Sequence, residues 1–272
     1  MTTLLWFITI PLVTYLLYLL AFYFIQHRML FPVHELPPSD PALIEDAGGE
    51  IHRLEFSQGE FEVAYLPPLQ NFKQPFPVLM VAHGNGNIID DWAPRVDYMR
   101  EHGYAVVLVE YPGYGRCDGS PSFDSISETM NLAYEWVEKQ EQLDKNRIVL
   151  LGRSMGGGAV LTLVPKHNPI AIVLMSTYSS IVDLAYKRLL PAFLVQHPFD
   201  NVKALSEYKG MVYLIHGKAD KTVPIDALNK LLTVREDATH KVYETAHADT
   251  PGDWDEFWKE LEQFLKSVVF KE

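Results

Sequence analysis

The chain is nearly without cysteine and short of positive charge. Cys117 is the single cysteine among 272 residues, so no disulfide can close within the chain and the fold does not rely on one, which fits a reducing compartment. Lys and Arg total 23 against 35 Asp and Glu, a formal net charge of −12. No run of five or six basic residues occurs, and nucleic acid is not an expected partner. Internal repeats and low-complexity tracts are missing as well. What is abundant is apolar material, 48% of the residues, enough for one sizeable core and one α/β domain.

The amino terminus concentrates that material. Leu4 to Ile25 contains no charged residue. A helix of about 22 residues extends roughly 33 Å, enough for a hydrocarbon core of about 30 Å. Residues 1–28 therefore read as a transmembrane anchor, with Trp6 and Tyr23 placed like interfacial belt residues and Pro11 tolerated inside the span. A cleaved signal peptide would carry positive charge before the apolar run, a shorter run and a small-x-small site after it, and all three are missing. Arg28 on one side and the terminal amine on the other nearly balance, so the membrane face of the domain is left open.

Residues 29–50 are rich in Pro and acidic side chains without apolar periodicity and read as a linker. The domain then runs from 51 to 272. Its first part reads as a hairpin, 51–56 with 61–66 around Ser57-Gln58-Gly59. Apolar runs at 78–82, 105–109, 148–151, 170–175 and 212–215, and a last strand at 241–244, then alternate with helical stretches at 91–102, 127–140, 156–167, 226–233 and 254–269. This is the pattern of a parallel sheet covered on both faces, an α/β fold. The stretch 178–210, with Leu189, Leu190, Phe193, Leu194, Val195 and Phe199 broken by Pro191 and Pro198, breaks the alternation. It reads as a small helical cap over the strand ends, with a long crossover as the alternative.

The stretch around which the domain is organised is Val149-Leu150-Leu151-Gly152-Arg153-Ser154-Met155-Gly156. G-x-S-x-G suits a sharp strand-to-helix turn in which a strained serine needs neighbours without bulk. Ser154 is the candidate nucleophile, and the amide of Met155, at the start of the next helix, a candidate oxyanion donor. Loops at the carboxyl ends of parallel strands share one rim, so partners for Ser154 are sought there. His83-Gly84-Asn85-Gly86-Asn87 follows one strand, and Asn85 is the second candidate oxyanion amide, with Gly86 as substitute. Asp220 follows another, with Asp183 as a substitute acid. His247 follows the last and is preferred to His240, which precedes its strand. The order Ser154, Asp220, His247 is the one this architecture requires. In it, His247 would accept the serine proton and Asp220 would hold the imidazole.

At these residues a resemblance emerges. HGNGN at 83–87, EYPGYGRCDGSPS at 110–122, GRSMGGG at 152–158 and HGKAD at 216–220 resemble the small membrane-anchored abhydrolase domain-containing branch of the α/β-hydrolase superfamily. The resemblance implies an eight-stranded, mostly parallel sheet with helices on both faces, and serine hydrolase activity on carboxylic esters or thioesters without metal or cofactor. The chain departs from the family pattern at Glu110-Tyr111-Pro112, where Asp-Tyr-Arg is usual. It departs again at Ala246-His247-Ala248-Asp249, where the histidine turn usually carries glycine. Cys117 stands where a serine is common and reads as packing.

Together an anchor and an apolar cap suggest a lipid ester as substrate, since each buried methylene favours binding by about 0.8 kcal/mol. Monoacylglycerol-like esters lead, followed by acyl-protein thioesters and peptides. The reading from another class is a membrane-bound scaffold that kept the fold.

Overall fold

The computed structural model describes residues 2–269. Eight strands form one sheet: β1 (Glu50–Phe56), β2 (Gly59–Leu66), β3 (Phe76–Ala82), β4 (Ala105–Val109), β5 (Leu143–Arg153), β6 (Ala171–Met175), β7 (Met211–Gly217) and β8 (Thr239–Tyr243). Their order is β1-β2-β4-β3-β5-β6-β7-β8. Only β2 runs against the others, pairing antiparallel with β1 and with β4. The helices are α1 (Thr2–Leu30), α2 (Ala42–Glu45), α3 (Asp97–Glu101), α4 (Phe123–Lys139), α5 (Met155–Leu161), α6 (Ile181–Tyr186), α7 (Asn201–Glu207), α8 (Asp226–Val234) and α9 (Trp254–Val269).

Period-two alternation divides each strand between two cores. In β3, Val78, Met80 and Ala82 face a cluster completed by Ile126, Met130 and Ala133 of α4, Ala159 and Val160 of α5, and Leu228 and Leu231 of α8. Leu79 and Val81 face the opposite cluster with Met99 of α3 and Phe257, Trp258, Leu261 and Leu265 of α9. Burial on both faces is why these strands read as continuous apolar runs rather than as alternation with polar residues.

The strand order reverses between β3 and β5. From β3 the chain steps outward to β4, then crosses back over the sheet to β5. The loops leaving β3 and β5 diverge at that switch point and open a crevice at the carboxyl edge of the sheet. His83 to Asn87 leaves β3 there, and Ser154 leaves β5.

Three stretches differ from expectation. The segment 91–102 is two 3-10 turns, Ile89–Asp91 and Ala93–Arg95, before the short α3; Pro94 supplies no amide to a continuous helix. The stretch 31–50 is a fastened strap. Phe31 and Ile44 are buried in the two cores, and Asp90 Oδ2 accepts from Ser39 Oγ at 2.6 Å and the Asp40 amide at 2.7 Å. Its polar, Pro-rich composition hides two apolar plugs that have no period. The cap is smaller than 178–210. α7 packs against α5 and α8 with Leu205 fully buried, leaving α6 and the turn at Ala192–Leu194 over the rim.

Candidate active site

Ser154 sits between β5 and α5 with φ 53° and ψ −114°, a conformation that costs an L-residue energy and persists only where its surroundings impose it. They do so here by contact. A Cβ on Gly152 would lie 2.4 Å from the carbonyl oxygen of Gly156, and one on Gly156 would lie 2.0 Å from that of Ala82. Backbone cannot step aside from such contacts, so both glycines are steric requirements of the turn. The elbow is tied from behind as well: the Ser154 amide donates to Met175 O at 2.8 Å, and Thr177 Oγ1 donates to Ser154 O at 2.7 Å. Asn201 Nδ2 in turn donates to Thr177 Oγ1 at 3.0 Å.

The structure brings the three candidate side chains together. His247 Nε2 lies 3.0 Å from Ser154 Oγ, and His247 Nδ1 lies 2.6 Å from Asp220 Oδ2. The other carboxylate oxygen of Asp220 accepts the Thr222 and Val223 amides at 2.9 and 2.8 Å. Burial pushes the Asp220 carboxyl up, but the hydrogen bonds from His247 and Val223 and the nearby His247 and His216 rings outweigh it, and the net shift is downward. The acid is therefore ionised, and its side chain is fully buried while that of His247 keeps 18% exposure toward the pocket. Asp183, the substitute acid, is engaged elsewhere, by Ser179 Oγ at 2.6 Å and Lys230 at 2.9 Å. His240 lies within β8 opposite Leu214.

The turn carrying His247 lacks the usual glycine and is held in three other ways. A Cβ on Gly217 would lie 2.4 Å from Thr245 O, so the end of β7 admits the histidine loop only as glycine. Ala246 O accepts from Thr250 Oγ1 at 2.9 Å. Arg153 Nη2 donates to His247 O at 3.0 Å and to Ala248 O at 3.1 Å. Arg153 is a contact of the histidine loop that the motif logic passed over; its position beside the serine was the available signal.

Sequence reasoning also passed over the His83 and Glu110 pair. Both are buried, with His83 Nε2 2.6 Å from Glu110 Oε1 and Nδ1 2.8 Å from Gly84 O. Glu110 further accepts the Ile89 amide at 3.0 Å and the Tyr111 amide at 3.1 Å. The glutamate at this position thus pins the His83 to Ile89 turn that presents Asn85. Asn85 lines the pocket together with Ser154, Met155 and His247, whereas a Cβ on Gly86 would meet open space. Met155 begins α5, where an amide has no carbonyl one turn back to bond. Cys117 stands apart: burial pushes its thiol far up, and its Sγ accepts the Glu62 amide at 3.2 Å. It packs, as its surroundings imply. Among the described residues, no group of three or more His, Cys, Asp or Glu is placed to hold a metal ion.

The serine and histidine open into a cavity of about 230 Å³. Its walls are mainly apolar: Tyr178, Ile181, Leu184, Val195 and Val223 on the domain side, and Phe22, Met29 and Leu30 from α1. Sequence reasoning assigned α1 to lipid alone, yet its last turns form one side of this cavity.

The chain is similar in sequence and fold to known proteins. The model of the alpha/beta hydrolase fold matches residues 77–207. The uncharacterized protein YfhR of Escherichia coli K12 is 25% identical over 223 residues, covering 78% of this chain and 77% of that one. The alpha/beta hydrolase domain-containing protein WAV2 of Arabidopsis thaliana is 34% identical over 140 residues, 44% of each chain. Among solved structures, an esterase of Pyrococcus furiosus superposes with a TM-score of 0.66 at 16% identity, covering 83% of this chain and 93% of its own. An esterase of Thermogutta terrifontis gives 0.66 at 17% identity, covering 81% and 94%. At such identities the two structures speak for the fold.

Proposed function

We propose that this chain, which belongs to the α/β-hydrolase superfamily, is a membrane-anchored serine hydrolase cleaving carboxylic esters with an apolar acyl chain. The observation that carries the reading is the unbroken relay from Asp220 through His247 to Ser154, at 2.6 and 3.0 Å, ending at the floor of an apolar pocket.

In this reading Ser154 Oγ attacks the ester carbonyl while His247 Nε2 takes its proton, and Asp220 holds the ring and stabilises the imidazolium. The amides of Met155 and Asn85 receive the developing oxyanion. Collapse expels the alcohol, which leaves with the proton from His247, and the acyl group remains on Ser154. Water then attacks the acyl carbon with His247 again as base, releasing the carboxylic acid and restoring the serine.

A thioester would pass through the same steps with a thiol leaving. An aminopeptidase is disfavoured because none of the described residues lining the pocket is acidic, so a substrate ammonium would meet no counter-charge. The anchor reading draws on the helix from Trp6 to Leu30, 25 residues with mean hydropathy 2.1. Its carboxyl half is hydrogen-bonded to the domain, Gln26 Nε2 donating to Leu194 O at 2.8 Å, an arrangement that suits a retained anchor better than a removed leader.

The test is labelling of the full chain by a fluorophosphonate probe. Labelling that disappears in Ser154→Ala supports the hydrolase, and a wild-type chain that neither labels nor hydrolyses p-nitrophenyl esters supports the scaffold.

A further inference from the structure

The apolar amino-terminal helix α1 also forms a wall of the candidate site. Phe22, Gln26 and Met29 stand at positions i, i+4 and i+7 of α1, one stripe of a helix, and all three line the cavity that holds Ser154 and His247. Facing them, Ile181, Leu184, Ala185 and Arg188 stand at i, i+3, i+4 and i+7, the matching stripe of α6 and its carboxyl end. The cavity is therefore a groove between two helical stripes with the serine at its floor.

The two walls are fastened to each other along the groove. Tyr15 and Tyr18 donate their hydroxyls to Leu189 O and Arg188 O at 2.8 and 2.7 Å. Gln26 is buried and bonded at both ends of its amide, to Leu194 O at 2.8 Å and from the Gln196 amide at 3.0 Å. These contacts fix the rotation of α1 about its own axis. Phe22, half-buried, consequently faces the groove and Met29 lines its edge at 52% exposure, while Phe24, 70% exposed, faces outward. Beside the fastened turns Leu189 and Phe193 are 76% and 82% exposed, next to the exposed cations Lys187 and Arg188.

We propose that Phe22 and Met29 of the anchor helix set acyl-chain length, with one unbranched chain of a lipid ester lying between α1 and α6 and its carbonyl at Ser154. The proposal rests on the hydrolase reading above and extends it. Leu30 is tied to Asn85, whose Nδ2 donates to Leu30 O at 3.0 Å, so this end of the stripe is next to the reacting carbonyl. Phe22 lies about 10 Å farther along the helix axis from Met29, where the tail of a long chain would arrive. If α1 serves as the membrane anchor of the reading above, its apolar face leads from the bilayer to the mouth of this groove, and the chain enters without crossing water. Each methylene it buries there is worth about fourfold in binding.

The experiment uses the full-length protein in phosphatidylcholine vesicles and the ratio of kcat/KM for p-nitrophenyl decanoate to that for the butyrate. Measured on one sample, the ratio cancels any inactive fraction. Phe22→Trp, which fills the distal groove, should lower the ratio at least tenfold, and Phe22→Ala should raise it. Phe24→Trp adds the same bulk on the outward face and should leave the ratio at the wild-type value. Ratios within twofold of wild type for both Phe22 variants, or an equal fall in Phe24→Trp, would overturn the proposal while the hydrolase reading stands. A wild-type chain without labelling or hydrolysis would overturn both.

Discussion

Arg153 Nη2 lies 3.0 Å from the carbonyl oxygen of His247, so the residue next to the candidate nucleophile holds the loop that carries its base. Serine and histidine are thereby positioned by one rigid connection from the end of β5. The usual glycine turn around the histidine is replaced by a guanidinium that also reaches Ala248 O at 3.1 Å. Arg153→Met should lower kcat about 10- to 100-fold with little change in KM, because a shift of about 1 Å at a catalytic base costs on that order. Arg153→Lys, which keeps the charge and loses the fork, should fall between the two. Steady-state kinetics on a short-chain ester decide it, and an unchanged kcat in Arg153→Met would count against this positioning role.

Asp220→Asn keeps an oxygen for the Thr222 and Val223 amides but loses the carboxylate that orients His247 Nδ1–H. Turnover should drop about 10⁴-fold with the fold preserved, the loss known for the same acid-to-amide change in a serine protease triad. Circular dichroism and ester hydrolysis on the same preparation test it. A variant with more than a tenth of wild-type kcat would transfer the role to another group.

The elbow predicts a contrast between glycines. Gly156→Ala puts a methyl 2.0 Å from the backbone oxygen of Ala82, which cannot step aside, whereas Gly86→Ala meets nothing within 4 Å. The first should cost about 3 kcal/mol or more, the second under about 0.5 kcal/mol. Thermal melts of the two variants would show a wide gap, and equal melting temperatures would contradict the tight contact.

Three histidines make the fold sensitive to mild acid. Burial lowers the pKa of His216, His197 and His167 in the folded chain. His216 is the clearest case: its Nε2 donates to Val223 O at 2.8 Å, and its Nδ1 is buried without a partner among the described residues. A folded pKa below the unfolded value of about 6.5 means that the unfolded chain takes up more protons as pH falls. The stability these groups contribute is complete above about pH 6.5 and is lost as pH drops below it. Melting temperature should therefore decline between about pH 7 and pH 5, and a flat profile across that range would be inconsistent with neutral buried rings.

Much of this molecule was legible from residue order alone, and the reasons are local. β3, β4, β6 and β7 are apolar runs bounded by turn residues, and a strand buried on both faces has few other ways to be written. Ser154 was legible because a strained elbow admits only glycine at two nearby positions. That Asp220 and His247 would meet Ser154 at one rim was legible because each follows a parallel strand at the same edge of the sheet. The strap escaped notice because Phe31 and Ile44 are isolated plugs, and burial of single residues leaves no period to detect. The helix expected at 91–102 failed for a related reason: Trp92, Ala93, Val96 and Met99 are buried, but Pro94 interrupts the amide ladder beneath them.

The sequence by itself determined a wound sheet, an apolar amino-terminal helix and three candidate reactive side chains, because strand burial, helix length and turn sterics are each decided within a few neighbouring residues. Only the tertiary structure decided that Arg153 anchors the histidine loop, that Glu110 pins the turn bearing Asn85, and that Phe22 and Met29 of α1 line the same groove as Ser154. Those relationships join segments dozens of residues apart. They depend on the rotation and docking of whole elements, which hydrogen bonds such as those of Gln26 and Tyr18 set and which no local pattern encodes.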